Sequence, residues 1–234
     1  MNDELIHVGL CSIPSRALGL LRVLDTLLPA CDRMHVYLNS YPTDFNPAQL
    51  QDPKITVYRS PPDIGPRGKF YVAHCSPGYY LTVDDDLIYP ADYVYHMVQT
   101  IDKYRRQAVI GGHGTLFAEP RRILFSHAGY VAQDAVVHML GTGLMGYHSD
   151  LLRIDWRNFD AGKIDEQVAI LGQACEIPMI CLAHPEAWVR EDKELVHVNA
   201  LRDNKKLSDA AKERQNRNWK LYVPESWKEY QTHP

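Results

Sequence analysis

The first 110 residues alternate between short apolar runs and longer segments with apolar residues at helical spacing. Strands are predicted over residues 5–10, 34–38, 55–58, 79–83 and 108–110, and helices over residues 18–28, 65–76 and 93–104. Strands that alternate with helices pair in parallel, because each helix carries the chain back across the sheet. The pattern predicts an α/β fold: a mostly parallel sheet flanked by helices, in a single domain.

The second half is less regular. Residues 164–175 predict a helix and residues 177–182 a late strand, while Gly141-Thr142-Gly143 interrupts an apolar stretch. From residue 201 the chain turns polar, and residues 205–222 predict a helix with few apolar positions.

Composition and charge exclude several classes of protein. The net charge of −4 favours no nucleic-acid partner. Five cysteines without a CxxC pair indicate reduced thiols rather than a disulfide framework. We expect no signal peptide and no membrane span, and hence a cytoplasmic protein.

Three polar loops follow predicted strands. They are CSIPSR at residues 11–16, SPPDIGPRGK at residues 60–69, and the acidic triplet Asp84-Asp85-Asp86. In parallel α/β sheets ligands bind beyond the carboxyl ends of the strands. The three loops are therefore expected to meet at one ligand-binding edge.

Three adjacent carboxylates repel one another unless they are solvated or paired. In an extended segment Asp84 and Asp86 share a face while Asp85 points away, a spacing that suits a hard divalent cation. The alternative is a solvated acidic loop that favours the N-terminus of the following helix.

Five segments resemble one enzyme family. YYLTVDDDLIYPADYV is similar to the DxD region of glycosyltransferases with the GT-A fold, the nucleotide-diphospho-sugar transferase fold. HVGLCSIPSRALGLLRVLDTLLPACDRMHVYLN and SPPDIGPRGKFYVAH resemble its earlier donor-binding segments. HMLGTGLMGYHSDLL and KIDEQVAILGQACEIPMICLAHPEAWV resemble the acceptor half of family-two-like bacterial polysaccharide enzymes. The resemblance divides the chain into a domain at residues 1–200, with a nucleotide-binding half (1–110) and an acceptor half (111–200), and a C-terminal helical extension (201–234).

The resemblance implies a metal-dependent glycosyltransferase that uses Mn²⁺ or Mg²⁺. Asp86 would be the direct metal ligand, Asp84 would contact the metal or the ribose, and Asp85 would assist. The nucleotide-binding residues implied elsewhere are Ile13, Pro14, Ser15, Arg16, Asp63, Arg67 and Lys69. Asp63 would accept a hydrogen bond from the base, which makes a UDP-sugar the first donor to consider. Arg16, Arg67 and Lys69 as surface charges, and Asp63 as a turn residue, are the alternatives.

In the acceptor half the resemblance implies a general base, which inverting members of the family need. Asp165 matches its position, with Glu166 as the alternative; both also fit ordinary acids at a helix start. His184 or His197 would add a metal ligand, and His113 and Trp188 would contact the acceptor, a carbohydrate or lipid-linked glycan. Structural histidines and a core tryptophan are the competing interpretations.

Three other functions stay open. A nucleotidyltransferase of sugar-nucleotide synthesis needs a glycine-rich first loop, which CSIPSRALG lacks. A phosphatase of the DxD kind places that motif after its first strand, and here it follows the fourth. A non-catalytic nucleotide- or glycan-binding module would keep the fold without turnover.

The tail at residues 205–228, with its cations and tryptophans, suggests peripheral membrane contact or a solvated helix.

Overall fold

The computed structural model describes residues 4–59, 63–71, 76–118, 121–160, 162–195 and 219–222. An eight-stranded sheet forms their centre, in the order β3-β2-β1-β4-β11-β6-β12-β9. Six of these strands run parallel, whereas β11 and β9 run against them. The predicted α/β class, a mostly parallel sheet flanked by helices in one domain, is confirmed.

The elements follow in chain order. The strands are Leu5–Ser12 (β1), Arg33–Leu38 (β2), Ile55–Tyr58 (β3), Gly78–Val83 (β4), Leu87–Ile88 (β5), Val109–Gly111 (β6), Gly114–Ala118 (β7), Arg121–Phe125 (β8), Ala135–Val137 (β9), Met139–Leu140 (β10), Leu144–His148 (β11), Met179–Cys181 (β12) and Arg190–Glu191 (β13). The α-helices are Ala17–Leu27 (α1), Tyr93–Lys103 (α2) and Ile164–Ala174 (α3).

β1 and β4 occupy the middle of the sheet because their side chains are apolar on both faces. All six residues of β4 are buried, and Val8 and Leu10 of β1 have no exposed surface. Strands covered on both faces read as continuous apolar runs, which is the pattern that predicted β4. The two strands pair in parallel from Leu5 opposite Gly78 to Leu10 opposite Val83.

The helices cover the sheet with one apolar face each. Leu20, Leu24 and Leu27 of α1 are fully buried, and so are Met97 and Ile101 of α2. Burying side chains of this size contributes roughly 1.5 to 3 kcal/mol each. The spacing of these residues at three and four positions explains why the sequence predicted both helices.

Two small sheets were not predicted. β10, β7 and β8 form a three-stranded sheet, and β13 pairs with β5 in a two-stranded one. The two-residue strands β5, β10 and β13 are too short for a periodic signal, and their pairing depends on contacts between distant segments. The pair β13–β5 places residues 190–191 directly beside the segment that follows the acidic triplet.

Some predicted elements differ from the structure. The helix expected over residues 65–76 is a single 3-10 segment, Gly65–Phe70, with residues 72–75 outside the described range. The helix expected over residues 205–222 does not include residues 219–222, which are irregular, and residues 205–218 lie outside the described range. The proposed extension at 201–234 and the division at residue 110 remain predictions.

Within the described ranges, no helix combines the length and the apolar character needed to cross a bilayer.

Candidate functional site

The acidic triplet lies directly beyond the end of the central strand β4, between β1 and β11. The Tyr89 hydroxyl fixes its start: it accepts a hydrogen bond from the Asp84 amide at 2.8 Å and donates to the Gly143 carbonyl at 2.7 Å. Tyr89 is 4% exposed, so this anchor is part of the core. The triplet is therefore held at the carboxyl edge of the sheet, where the sequence placed it.

The first-strand loop reaches the triplet through Arg16. Its guanidinium lies 3.0 Å from an Asp85 oxygen and 3.1 Å from an Asp86 oxygen. Burial lowers the pKa of Arg16, but the Asp86 and Asp85 carboxylates outweigh it and raise the pKa above its usual value. Pro14 and Ser15 belong to the same short 3-10 helix, Pro14–Arg16, so the predicted loop does lie beside the carboxylates.

Lys69 reaches the triplet from the third-strand loop. Its ammonium forms an ion pair with Asp84 and is buried, with 2% of the side chain exposed. Burial lowers the pKa of Lys69, whereas the charges of Asp84 and, more weakly, Asp165 raise it, and the net direction is upward. Lys69 thus lies within electrostatic reach of both Asp84 and Asp165, which places all three in one site.

The site carries more negative than positive charge. Three carboxylates of the triplet face Arg16 and Lys69, and Oδ2 of Asp85 is buried without a hydrogen-bond partner among the described residues. Burial, and then the neighbouring charge of Asp84, raises the pKa of Asp86 to about 6 even though Arg16 opposes the shift. Excess negative charge of this kind is what a bound cation would neutralise.

These donors fit a divalent cation that also binds substrate oxygens. No group of three ligand atoms converges within 4.8 Å at the triplet in the described chain. Mg²⁺ in nucleotide sites is commonly held by one or two carboxylates together with substrate phosphates. Asp84 and Asp86 could supply the carboxylates of such a site. The described residues at the triplet therefore could not hold a metal ion with protein ligands alone.

One three-ligand group does occur elsewhere. The ligand atoms of Glu4, His148 and Asp150 lie within 4.8 Å of one another. Arg106 already occupies this cluster, donating to Glu4 at 2.7 Å and approaching His148 at 3.4 Å. A fixed guanidinium there opposes a second cation, and the cluster lies at the other end of β4 and β11 from the triplet.

A three-residue segment, Gly141-Thr142-Gly143, joins the triplet to the second half. The Gly141 amide donates to the His113 carbonyl at 2.9 Å. The Thr142 amide and hydroxyl donate to Oδ1 of Asp165 at 3.0 and 2.7 Å. Gly143 lies against Asp84, where a Cβ would be 2.7 Å from Asp84 Cγ.

The sequence marks this segment as an interruption of an apolar stretch and places it within HMLGTGLMGYHSDLL, which resembles an acceptor half, but it assigns no role to Thr142 or to either glycine. Its signal was two glycines within an apolar run, a pattern that marks close backbone approach. Because the segment touches Asp84, Asp165 and His113 together, the donor-side and acceptor-side predictions fall into one continuous region.

Asp165 lies in the first turn of α3 and is partly exposed, whereas Glu166 beside it is only 4% exposed. Both hydrogen bonds from Thr142 go to Oδ1. Oδ2 of Asp165 receives neither of these bonds, and of the two acids only Asp165 has appreciable exposed surface.

Two other predicted donor residues make contacts within the protein. Asp63 accepts hydrogen bonds from the Ser40 hydroxyl at 3.2 Å and the Gly65 amide at 2.7 Å, and it is exposed. Arg67 donates to the Phe159 carbonyl at 2.5 Å and to the Ile64 carbonyl at 2.9 Å. Arg67 thus ties its loop to the second half instead of extending into solvent.

The predicted acceptor side contains a buried aromatic cluster. Trp188 is 9% exposed and stacks on His184 at 5.5 Å between ring centroids. Nδ1 of His184 lies 3.1 Å from the Pro185 carbonyl, which can only accept, so Nδ1 is the donor in this contact. Nε2 of His184 is buried without a partner in the described part of the chain.

His113, at the turn between β6 and β7, pairs its Nδ1 with Nδ1 of His127 at 3.1 Å. His127 lies within electrostatic reach of His184 and Asp84, and burial lowers its pKa. His127 is not among the site residues predicted from the sequence, because a single histidine outside any motif gives no signal of function. His197, predicted as an alternative metal ligand, lies outside the described residues.

Comparison with known proteins adds little to this geometry. No family model and no curated protein matches the sequence. A solved structure of a proposed nucleotide-diphospho-sugar transferase from Desulfovibrio desulfuricans G20 matches with a TM-score of 0.47 and 12% identity, covering 77% of this chain and 80% of that one. A likeness this distant does not identify a function.

Proposed function

We propose that this protein is a metal-dependent glycosyltransferase that moves a sugar from a nucleotide-sugar donor to a carbohydrate or lipid-linked acceptor. One observation carries the proposal. The acidic triplet at the end of β4 and Asp165 at the start of α3 lie on opposite sides of Gly141-Thr142-Gly143, at the ligand-binding edge of the sheet.

On the donor side, Asp86 and Asp84 would hold Mn²⁺ or Mg²⁺. When bound, the cation supplies positive charge that offsets the charge developing on the nucleoside diphosphate leaving group. Ile13, Pro14 and Ser15 would line the nucleotide beside Arg16, and Asp63 would accept a hydrogen bond from the base. A UDP-sugar is the donor that this arrangement favours.

Arg16 and Lys69 orient the carboxylates in this scheme. Each cation pairs with the triplet from a separate loop, so the carboxylates keep a fixed direction. A preorganised charge arrangement costs no rearrangement at the moment of reaction, which is the main source of electrostatic catalysis. Arg67 would support the site indirectly, because its hydrogen bond to the Phe159 carbonyl holds the 65–70 segment in place.

On the acceptor side, Asp165 would take the proton of the attacking hydroxyl. His113, whose carbonyl accepts a hydrogen bond from the Gly141 amide, would contact the acceptor. The stacked pair of His184 and Trp188 would line the same side of the site. The acceptor class points to polysaccharide or surface-glycan assembly, carried out in the cytoplasm, with membrane contact through the C-terminal segment.

A donor-hydrolysis screen tests the proposal. UDP-, GDP- and CDP-sugars are incubated with the protein in Mn²⁺ or Mg²⁺, and the released nucleoside diphosphate is measured. We expect release from one donor class, dependent on the metal and abolished in Asp86→Ala with the fold retained. Release that persists in chelator, or in Asp86→Ala, contradicts the metal role of the triplet.

A non-catalytic nucleotide-binding module is the second candidate. The observation that favours it is the pairing of Arg16 and Lys69 with all three carboxylates, which leaves little of the triplet unpaired. Nucleotide binding without turnover of any donor, in the presence of metal and a panel of glycan acceptors, would identify this module instead.

A further inference from the structure

Thr142 is placed to control the carboxylate of Asp165. It is 4% exposed, so it lies beneath the site instead of lining it. Its amide and its hydroxyl both donate to the same oxygen, Oδ1 of Asp165, at 3.0 and 2.7 Å. Two donors on one oxygen fix the rotation of the carboxyl group and leave the other oxygen for proton transfer.

Thr142 is itself held by the strand that carries the triplet. The Thr82 hydroxyl, on β4, donates to the Thr142 carbonyl at 2.7 Å, and Thr82 is buried. The next residue, Gly143, receives the Tyr89 hydroxyl and lies against Asp84. The position of Asp165 therefore depends on the same backbone that sets the position of Asp84.

The two neighbouring acids differ in exposure. Glu166 is buried at 4% exposure, whereas Asp165 is partly exposed and accepts both Thr142 hydrogen bonds. Of the two acids that the sequence left open, Asp165 is the one that a substrate can reach.

We propose that Thr142 is a positioning residue that fixes Asp165 as the general base, an inference that rests on the proposed function. The acceptor hydroxyl gives its proton to Oδ2 of Asp165 while its oxygen forms a bond to the anomeric carbon. The bond from that carbon to the phosphate oxygen breaks, and the nucleoside diphosphate leaves with the electron pair. Thr142 keeps Oδ2 directed at the hydroxyl, and misplacement of such a base by about 1 Å can cost on the order of 100-fold in rate.

The test compares Thr142→Val with Thr142→Ser in the full chain. Valine keeps the shape and the amide donor but removes the hydroxyl, whereas serine retains it. We expect Thr142→Val to lower kcat for transfer at least tenfold and to leave the Kd for UDP with Mn²⁺ and the KM for donor within twofold. Thr142→Ser should keep most of the wild-type kcat.

A double-mutant comparison identifies the partner. In an Asp165→Asn background, Thr142→Val should cost no further activity, because the base it positions is absent. Thr142→Ala repeats the comparison if valine is poorly accommodated, and the Tm of each variant is measured. An equal loss of kcat and nucleotide affinity, additive effects with Asp165→Asn, or unfolding of both the valine and alanine variants would show a structural role and overturn the inference.

The two proposals fail in different ways. A wild-type chain that binds no nucleotide with metal and transfers no sugar overturns the proposed function, and the inference with it. A wild-type chain that transfers sugar, with Thr142→Val at the same kcat, overturns the role of Thr142 alone.

Discussion

Gly143 lies against the carboxyl group of Asp84, so close that a Cβ at position 143 would stand 2.7 Å from Asp84 Cγ and overlap its carboxylate. Only glycine leaves Asp84 where it is. Because residue 143 has no side chain, the segment 141–143 can contact Asp84 on one side while Thr142 binds Asp165 on the other.

Gly143→Ala should therefore displace Asp84. We expect the affinity for nucleotide with Mn²⁺ to fall at least tenfold, because a metal ligand in this proposal has moved, while the protein stays folded. Titration calorimetry measures the affinity. Gly162→Ala is the matched control, since a Cβ there meets its nearest atom at 3.8 Å. Unchanged affinity in Gly143→Ala would show that Asp84 does not hold the metal.

Arg16 compensates a buried carboxylate, and its removal should reduce stability. Asp85 has a side chain 4% exposed, and Arg16 lies 3.0 Å from it. Leaving such a charge unpaired costs about 3 to 5 kcal/mol, so Arg16→Gln should lower the free energy of unfolding by that amount. Urea denaturation at neutral pH measures the change.

The chain offers a matched ion pair for comparison. Arg157 and Asp155 pair at 2.7 Å with side chains 73% and 39% exposed, so Arg157→Gln should change stability far less than Arg16→Gln does. Asp85→Asn should restore part of the stability lost in Arg16→Gln. Equal effects of the two arginine substitutions would contradict the buried character of the Arg16 pair.

The Asp86 carboxylate should lower the stability of the protein while it is required for metal-dependent nucleotide binding. Its burial beside Asp84 is unfavourable for its charged form, so Asp86→Asn is expected to keep or raise the Tm of the protein. The same variant should lose metal-dependent nucleotide binding. A clear drop in Tm would mean that the Asp86 carboxylate serves the fold and not the ligand.

A histidine pair in the sheet should make the protein sensitive to acid. Burial, and then the charge of neighbouring His7, lowers the pKa of His35 from 6.5 to about 4. His35 binds a proton more readily when unfolded, so its contribution to stability is complete above pH 6.5 and is lost as the pH falls toward 4. The expected loss is about 2 to 3 kcal/mol.

Urea denaturation at pH 7.0, 5.5 and 4.5 measures this loss. His35→Gln should show a flatter pH dependence than the wild type. His96→Gln, at an exposed histidine on α2, is the matched control for the substitution itself. Equal slopes in all three proteins would contradict the assignment to His35.

The parts of the fold that the sequence predicted are those with a local signal. β4 is one continuous apolar run, and its predicted bounds differ from Gly78–Val83 by one residue. The α3 helix, predicted over 164–175, ends at Ala174. The strands β7 and β8 were missed because five-residue strands next to the glycines at 111–114 carry little periodicity.

The site, too, has features that the sequence predicted and contacts that it did not. The edge position of the triplet followed from strand order, but its partners did not, because Arg16 and Asp85 are 69 residues apart in the chain. Lys69 was expected to neutralise phosphate, and the structure pairs it with Asp84. The link from Thr142 to Asp165 has no trace in the sequence, since it depends on how two distant segments pack.

The measurement closest to the central claim is calorimetric titration of UDP into the wild-type protein and Asp86→Asn, each with Mn²⁺ and with chelator. We predict binding by the wild type only when Mn²⁺ is present, and none by the variant. Binding that is equally strong in chelator, or no binding of any nucleoside diphosphate by the folded wild type, would contradict the claim that the triplet grips a metal–diphosphate group.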